Sequence, residues 1–236
     1  MSRERPEQEE EQALGFSTVI ASTVHDMKNS LGMLMQAHAA LAARLPAELG
    51  DSREQGIIEY ESMRLNGMLV QMLGLYKLGV NQLPLQPEHV EIEDFFQAAL
   101  ARHHDILRSR QIESTYQINE AGLMGFFDTE LVDSVVSNVI NNSIRYAKSA
   151  IHLRAWVEDE QLVLAISDDG QGYPKRMLDA QSDYVLGINM SSGSTGLGLY
   201  FGARIAERHQ RHGVQGRIAI SNDSDLGGGE FRIYLP

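Results

Sequence analysis

The chain contains no cysteine, which excludes a disulfide framework and any thiolate metal site and leaves the redox compartment open. No apolar run approaches the ~18–20 residues that a membrane span requires, and nothing near the N-terminus resembles a signal peptide. A cytoplasmic protein without membrane insertion is therefore expected. Positive charge is also scarce. Twenty Lys and Arg against 32 Asp and Glu give a formal net charge of −12, and such a field repels phosphate backbones and anionic membranes. General nucleic-acid binding is thus not expected, and a nucleotide site needs cations of its own. Low-complexity sequence is confined to the acidic start "RERPEQEEEQ", read as a flexible tail over residues 1–12.

What is present divides at a composition change. The 236 residues suffice for two modest domains, each with its own core. From Ile20 the apolar residues fall at Ile20, Val24, Met27, Leu31, Leu34, Leu41 and Leu45, with His38 filling the gap. This 4-3 alternation is a coiled-coil-like seam. "LPAELGDS" interrupts it, and a second series follows at Ile58, Leu65, Met68, Met72 and Leu75. The pair predicts an antiparallel helical hairpin over residues 13–80. A lone long hairpin leaves one face uncovered, so the pattern predicts a homodimer that closes a four-helix bundle.

"LGVNQLPLQPEHVEI" has two prolines and no helical period, which places a linker at 81–87 and a second domain at 88–236. There "HVEI", "STYQI" and "LMGFFD" read as short strands, with a helix at about 94–110. Asp128 is placed as the N-cap of a helix through "TELVDSVVSNVINNSIRYAK". "AIHLRAWVED" and "QLVLAISDD" alternate as a hairpin does. A helix over about 197–211 and two strands, "GRIAISN" and "EFRIYL", complete the domain. The whole is an α+β chain, a helical hairpin followed by an α/β two-layer sandwich.

Four stretches carry chemistry. In "VIASTVHDMKNSLGML" (residues 19–34), Val24 and Met27 are placed inward, so His25 lies off the seam, with Asn29 one turn on and Asp26 beside it. An exposed imidazole is largely neutral at cytosolic pH and is a nucleophile that an adjacent carboxylate can orient. The same residues also fit a solvated helix face. His38 sits on the seam and reads as a buried or register-setting histidine. Asn138 and Asn142 share a face of the 129–148 helix, beside Asn141. Their amide oxygens suit Mg²⁺, and Arg145 and Tyr146 on the next turn offer a cation and an aromatic surface. "ISDDGQGYP" ends a strand with Asp168, Gly170 and Gly172, a tight turn whose carboxylate can accept from an exocyclic amine. "SSGSTGLGLYFGARIAERH" puts Gly193, Gly196 and Gly198 before an amphipathic helix, an arrangement that holds anions, without the G-K-[ST] of a P-loop.

Together these stretches resemble the sensor histidine kinases of two-component signalling over about residues 14–236. "HDMKNSL" resembles the H-box, "NVINNSIRYA" the N-box, "DDGQGYP" the first glycine box and "GSTGLGL", with Thr195 and Leu197, the second. The resemblance implies the ATP-binding sandwich shared by gyrase, heat-shock chaperones and mismatch-repair ATPases, the GHKL type. It further implies His25 as phosphoacceptor, Asp26 as its acid/base partner and Asn29 as the position that aims water in dephosphorylating a partner response regulator. By the same token Asn138 and Asn142 hold Mg²⁺-ATP, Asp168 holds adenine, and Arg145 and Tyr146 contact phosphate and base. Two rivals are a hydrolytic ATPase of that superfamily and a non-catalytic phosphotransfer adaptor. The hydrolytic enzymes carry a glutamate where this chain has Ser134, and Asp133 is one residue out of place. The adaptor is expected to have lost its asparagine and glycine boxes, which stand here. A phenylalanine motif common between the glycine boxes is not evident in "KRMLDAQSDYVLGINMSSGST", which implies a shortened lid and leaves room for a phosphatase-biased enzyme. With 24 residues ahead of His25, sensory input is expected from a partner protein or a region outside this sequence.

Overall fold

The computed structural model describes residues 4–44, 53–80, 84–179 and 197–236, with side chains over 22–44, 54–80, 84–179 and 197–236. The chain forms two compact units, Met1–Leu83 and Pro84–Pro236.

Among the described residues the first unit is two helices, α1 (Glu4–Ala42) and α2 (Arg53–Gly79), packed on each other. The expected helical hairpin is met by two packed helices with residues 43–52 between them. Helix α1 begins at Glu4, so most of the stretch expected as an acidic tail is helical. Its glutamates and glutamines are good helix formers, and Pro6 falls in the first turn, where the missing N–H costs nothing. The 4-3 pattern splits into two rows. Val24 is buried at 5% exposure and Leu31 and His38 are half-buried, whereas Met27, Leu34 and Leu41 are 53%, 54% and 57% exposed. On α2, Tyr60 and Leu69 are buried while Ile58, Leu65 and Met72, again seven apart, stay open. Met27 was expected to point inward with Val24 and does not, because a single partner helix covers only one of the two rows that a heptad pattern supplies.

In the second unit a five-stranded sheet runs in the order β2-β4-β5-β9-β8. Its strands are β2 (Glu113–Ile118), β4 (Ala150–Glu158), β5 (Gln161–Asp168), β8 (Arg217–Ser221) and β9 (Glu230–Leu235). Only β2 and β4 pair parallel. Two small sheets flank it: β1 (Glu88–Glu91) with β3 (Met124–Phe127), and β6 (Gln210–Arg211) with β7 (Val214–Gln215). Helices α3 (Ile92–Ser109), α4 (Thr129–Tyr146) and α6 (Leu197–Arg208) pack against the sheet, and α5 (Lys175–Asp179) is short. Period-2 alternation decides the layers. On β4, Ile151, Leu153 and Ala155 are buried, and His152, Arg154 and Trp156 on the other face are half-exposed. This is the expected two-layer α+β arrangement, with Phe96, Phe127, Phe201 and Phe231 fully buried between helices and sheet.

Helix α4 carries the asparagines, and its start is fixed twice. Asp128 Oδ1 accepts from Leu131 N–H at 3.0 Å as an N-cap, and Oδ2 accepts from Gln86 N–H at 2.9 Å. The helix expected to reach residue 211 ends at Arg208. The chain then turns through His212 and Gly213, both at positive φ, to form the β6–β7 hairpin.

Candidate active site

In the first unit His25 is exposed on α1. Asp26 Oδ1 lies 3.6 Å from its Nδ1, and Asn29 Nδ2 lies 3.3 Å from the same nitrogen. Asn29 donates Nδ2–H to Nδ1 when that nitrogen is unprotonated, and Asp26 pairs with it when it carries a proton, so the two contacts are alternatives. His38 Nε2, on the seam 13 residues along α1, is buried with no hydrogen-bond partner among the described residues.

In the second unit the site forms where α4, the end of β5 and the start of α6 meet. Asn138 and Asn142 share one side of α4, Asn138 half-buried and Asn142 exposed. A Cβ on Gly198 would collide with the Asn138 amide, so α6 approaches α4 here only through a glycine. Asn141 Oδ1 is buried and unpaired among the described residues. Arg145 is exposed and stacks its guanidinium 5.4 Å from the Tyr146 ring centre, and that ring is 44% exposed.

Asp168 ends β5 on the helix-covered face. Its Oδ2 accepts from Ser143 Oγ–H at 3.1 Å and its Oδ1 from Gly170 N–H at 2.9 Å. Burial pushes the Asp168 carboxyl up from the usual range, and these hydrogen bonds oppose the shift. A Cβ on Gly170 would sit 2.5 Å from Tyr146 O and 2.7 Å from Asp168 Oδ1, so this glycine is required by close approach. Gly172 has φ +74°. The adjacent Asp169 has a different task. Burial works against its ionised form, but the Ser149 hydroxyl and N–H and the Lys148 N–H hold its carboxyl at about 2. It closes the turn after α4 and is not aimed at a ligand.

The structure thus brings together Asn138, Asn142, Arg145, Tyr146, Asp168, Gly170, Gly172, Leu197 and Gly198 around one end of the second unit. Gly193, Thr195 and Gly196 lie outside the described residues. At the place where related hydrolases keep a glutamate, Ser134 donates to Leu131 O at 2.7 Å, and Asp133 is paired with Arg102 of α3. Neither is free to activate water.

Residues 127–236 match the family described as histidine kinase-, DNA gyrase B- and HSP90-like ATPase. Over 227 residues the chain is 26% identical to the sensor protein kinase PilS of Pseudomonas aeruginosa, an alignment that covers 93% of this chain and 40% of that protein. These likenesses support a member of the histidine kinase family. The fold is found in solved structures as well. It resembles the catalytic domain of histidine kinase ThkA with a TM-score of 0.54 at 17% identity, covering 64% of this chain and 95% of that one. It also resembles full-length ShkA, solved in complex with AMPPNP, with a TM-score of 0.64 at 18% identity, covering 93% of this chain and 45% of that one. The chain spans 40% of the length of PilS and 37% of that of the alginate biosynthesis sensor protein KinB of Pseudomonas aeruginosa.

Sequence reasoning missed several residues that shape this candidate site. Asn222, just beyond β8, takes Tyr173 N–H on its Oδ1 at 2.7 Å and donates Nδ2–H to Tyr173 O at 2.9 Å, clasping the turn that follows Asp168. Gly229 O accepts from Asp168 N–H at 3.0 Å, and a Cβ on Gly229 would press on the Tyr173 ring. The glycine triplet before β9 was the available signal. Asn222 had none, because its partner lies 49 residues away.

Proposed function

We propose that this chain is an ATP-dependent protein-histidine kinase that phosphorylates His25 and exchanges that phosphate with an aspartate of a response-regulator receiver domain. The observation that carries the reading is an exposed His25 with Asp26 and Asn29 beside its Nδ1, on the same chain as a site that gathers Asn138, Asp168, Gly170 and Gly198.

The donor set fits Mg²⁺-ATP. Asn138 and Asn142 offer neutral amide oxygens on one helix face, suited to a hard cation that keeps waters and phosphate oxygens as its other ligands. Bound Mg²⁺-ATP supplies the phosphoryl group and neutralises charge on it. The chain's own residues do the rest. Asp168 accepts from the base, Tyr146 offers a stacking surface, and Arg145 neutralises phosphate. The Asp26 carboxylate beside His25 stabilises the positive charge that develops on the ring as the nitrogen–phosphorus bond forms, the bond from the γ-phosphorus to the ADP oxygen breaks and ADP departs. Absence of a free carboxylate at Ser134 favours transfer over hydrolysis.

Two further roles belong to the reading. The open rows Met27, Leu34 and Leu41 on α1 and Ile58, Leu65 and Met72 on α2 fit a second copy of the hairpin, which makes the working form a homodimer. The Asn29 amide beside His25 supports a phosphatase activity toward the phosphorylated regulator, through a water that it orients. Input comes from an upstream partner or segment, and the setting is cytoplasmic.

Incubation with γ-labelled ATP and Mg²⁺ tests the proposal. Acid-labile, base-stable label is expected on the wild type and none on His25→Gln, with nucleotide binding retained. Free phosphate without protein label supports the hydrolase instead, and absence of nucleotide binding supports the adaptor.

A further inference from the structure

Ser143 is out of character with its helix. The other buried residues of α4 are all valine or isoleucine, and Ser143, 4% exposed, is the polar exception among them. A serine within a helix ordinarily satisfies its hydroxyl on a carbonyl one turn back. Ser134 of this same helix does so on Leu131 O at 2.7 Å. Ser143 instead reaches across 25 residues of sequence to Asp168 Oδ2 at 3.1 Å.

The consequence lies in what remains exposed to a ligand. Gly170 N–H engages Oδ1 and Ser143 Oγ–H engages Oδ2, and the Gly229 N–H also acts on this carboxyl; a carboxylate has about four acceptor sites, so capacity for a further donor remains. The Ser143 oxygen has committed its proton to Asp168 and presents lone pairs only. Resting on the kinase reading above, we propose that Ser143 is a positioning and specificity residue for the nucleotide base. Its hydroxyl fixes the Asp168 carboxylate so that the pair forms an acceptor-only surface, which takes a purine bearing an exocyclic 6-amino group and refuses a 6-oxo purine. A 6-oxo group brings an acceptor to that surface and leaves buried groups unpaired.

The test is calorimetric titration of the full chain with ATP, GTP and purine riboside triphosphate, which lacks the amine. Ser143→Ala is expected to weaken ATP binding about three- to tenfold, to leave the amine-free analogue within about twofold, and to narrow the preference for ATP over GTP. Ser143→Cys keeps the volume, donates weakly and is expected to show the same change in ratios. Ser143→Thr, which retains the hydroxyl, is expected to restore the ATP preference. Equal losses for ATP and the amine-free analogue overturn the proposal and reduce Ser143 to packing, as does an unchanged ATP-to-analogue ratio in both Ala and Cys variants. A wild-type chain that binds none of the three nucleotides overturns the kinase reading itself, a result distinct from either.

Discussion

The two units handle their apolar side chains in opposite ways. Within Pro84–Pro236, Phe96, Phe127, Ile140, Leu164 and Ile233 are 0% to 1% exposed, and the sheet's inner face is covered by helices of the same chain. Within Met1–Leu83, six heptad-spaced residues on α1 and α2 stand 41% to 57% exposed. The first unit is unfinished and the second is closed. A closed unit can act as a nucleotide platform by itself. On the reading proposed above, the open rows are expected to take a second copy, so that a phosphoacceptor on that unit would be presented on a dimer.

That contrast is broken most strongly at the open rows. Leu34→Glu together with Leu65→Glu removes two leucines per protomer from the expected bundle, about 2 kcal/mol for each buried side chain. Sedimentation should then show monomer with reduced helix content, while the second unit melts as before. The reciprocal change is Phe96→Ala. It empties a fully buried site in the closed unit, and thermal unfolding should show a loss of about 3–5 kcal/mol there with dimerisation intact. Asp128→Ala removes the α4 cap and the tie to Gln86, with an expected cost of about 1–2 kcal/mol in denaturant unfolding and no change in oligomeric state.

The smallest expected effect is a pH dependence confined to the closed unit. His209 Nε2 accepts from Asp128 N–H at 3.0 Å and its Nδ1 donates to Ile205 O at 2.8 Å, a pattern open only to the neutral ring. His103 is likewise buried and bonded to Ala99 O. Burial lowers both below the ordinary histidine value. Below about pH 6.5 the unfolded chain therefore binds protons that the folded one resists. The stability linked to these rings is full above that pH and declines as pH falls toward the lowered folded values. Melting at pH 5.5 against pH 7.5 should show the loss in the closed unit, and His209→Gln should lessen it.

How legible the molecule was depends on the range of the interaction. Asp128 as a cap followed from a residue standing directly before an apolar period, and the β4–β5 hairpin from alternation on both sides of a turn. The heptad seam was equally visible, but which row met α2 was not, because the 4-3 pattern is the same for an intramolecular partner and for a second copy. Met27 fell on the wrong side for that reason. The β6–β7 hairpin escaped notice because two-residue strands carry no period. In the site, Asn138, Asn142, Asp168, Gly170 and Gly198 were readable from local spacing. Ser143 and Asn222 were not, since each acts on a residue 25 or 49 positions distant that only the folded sheet brings near.

The most direct measurement is to map phosphate on the chain by mass spectrometry under non-acidic conditions after incubation with Mg²⁺-ATP. The phosphoryl group should be found on the peptide carrying His25. Its appearance on another residue such as His38, or accumulation of ADP with no modified peptide, would contradict the account.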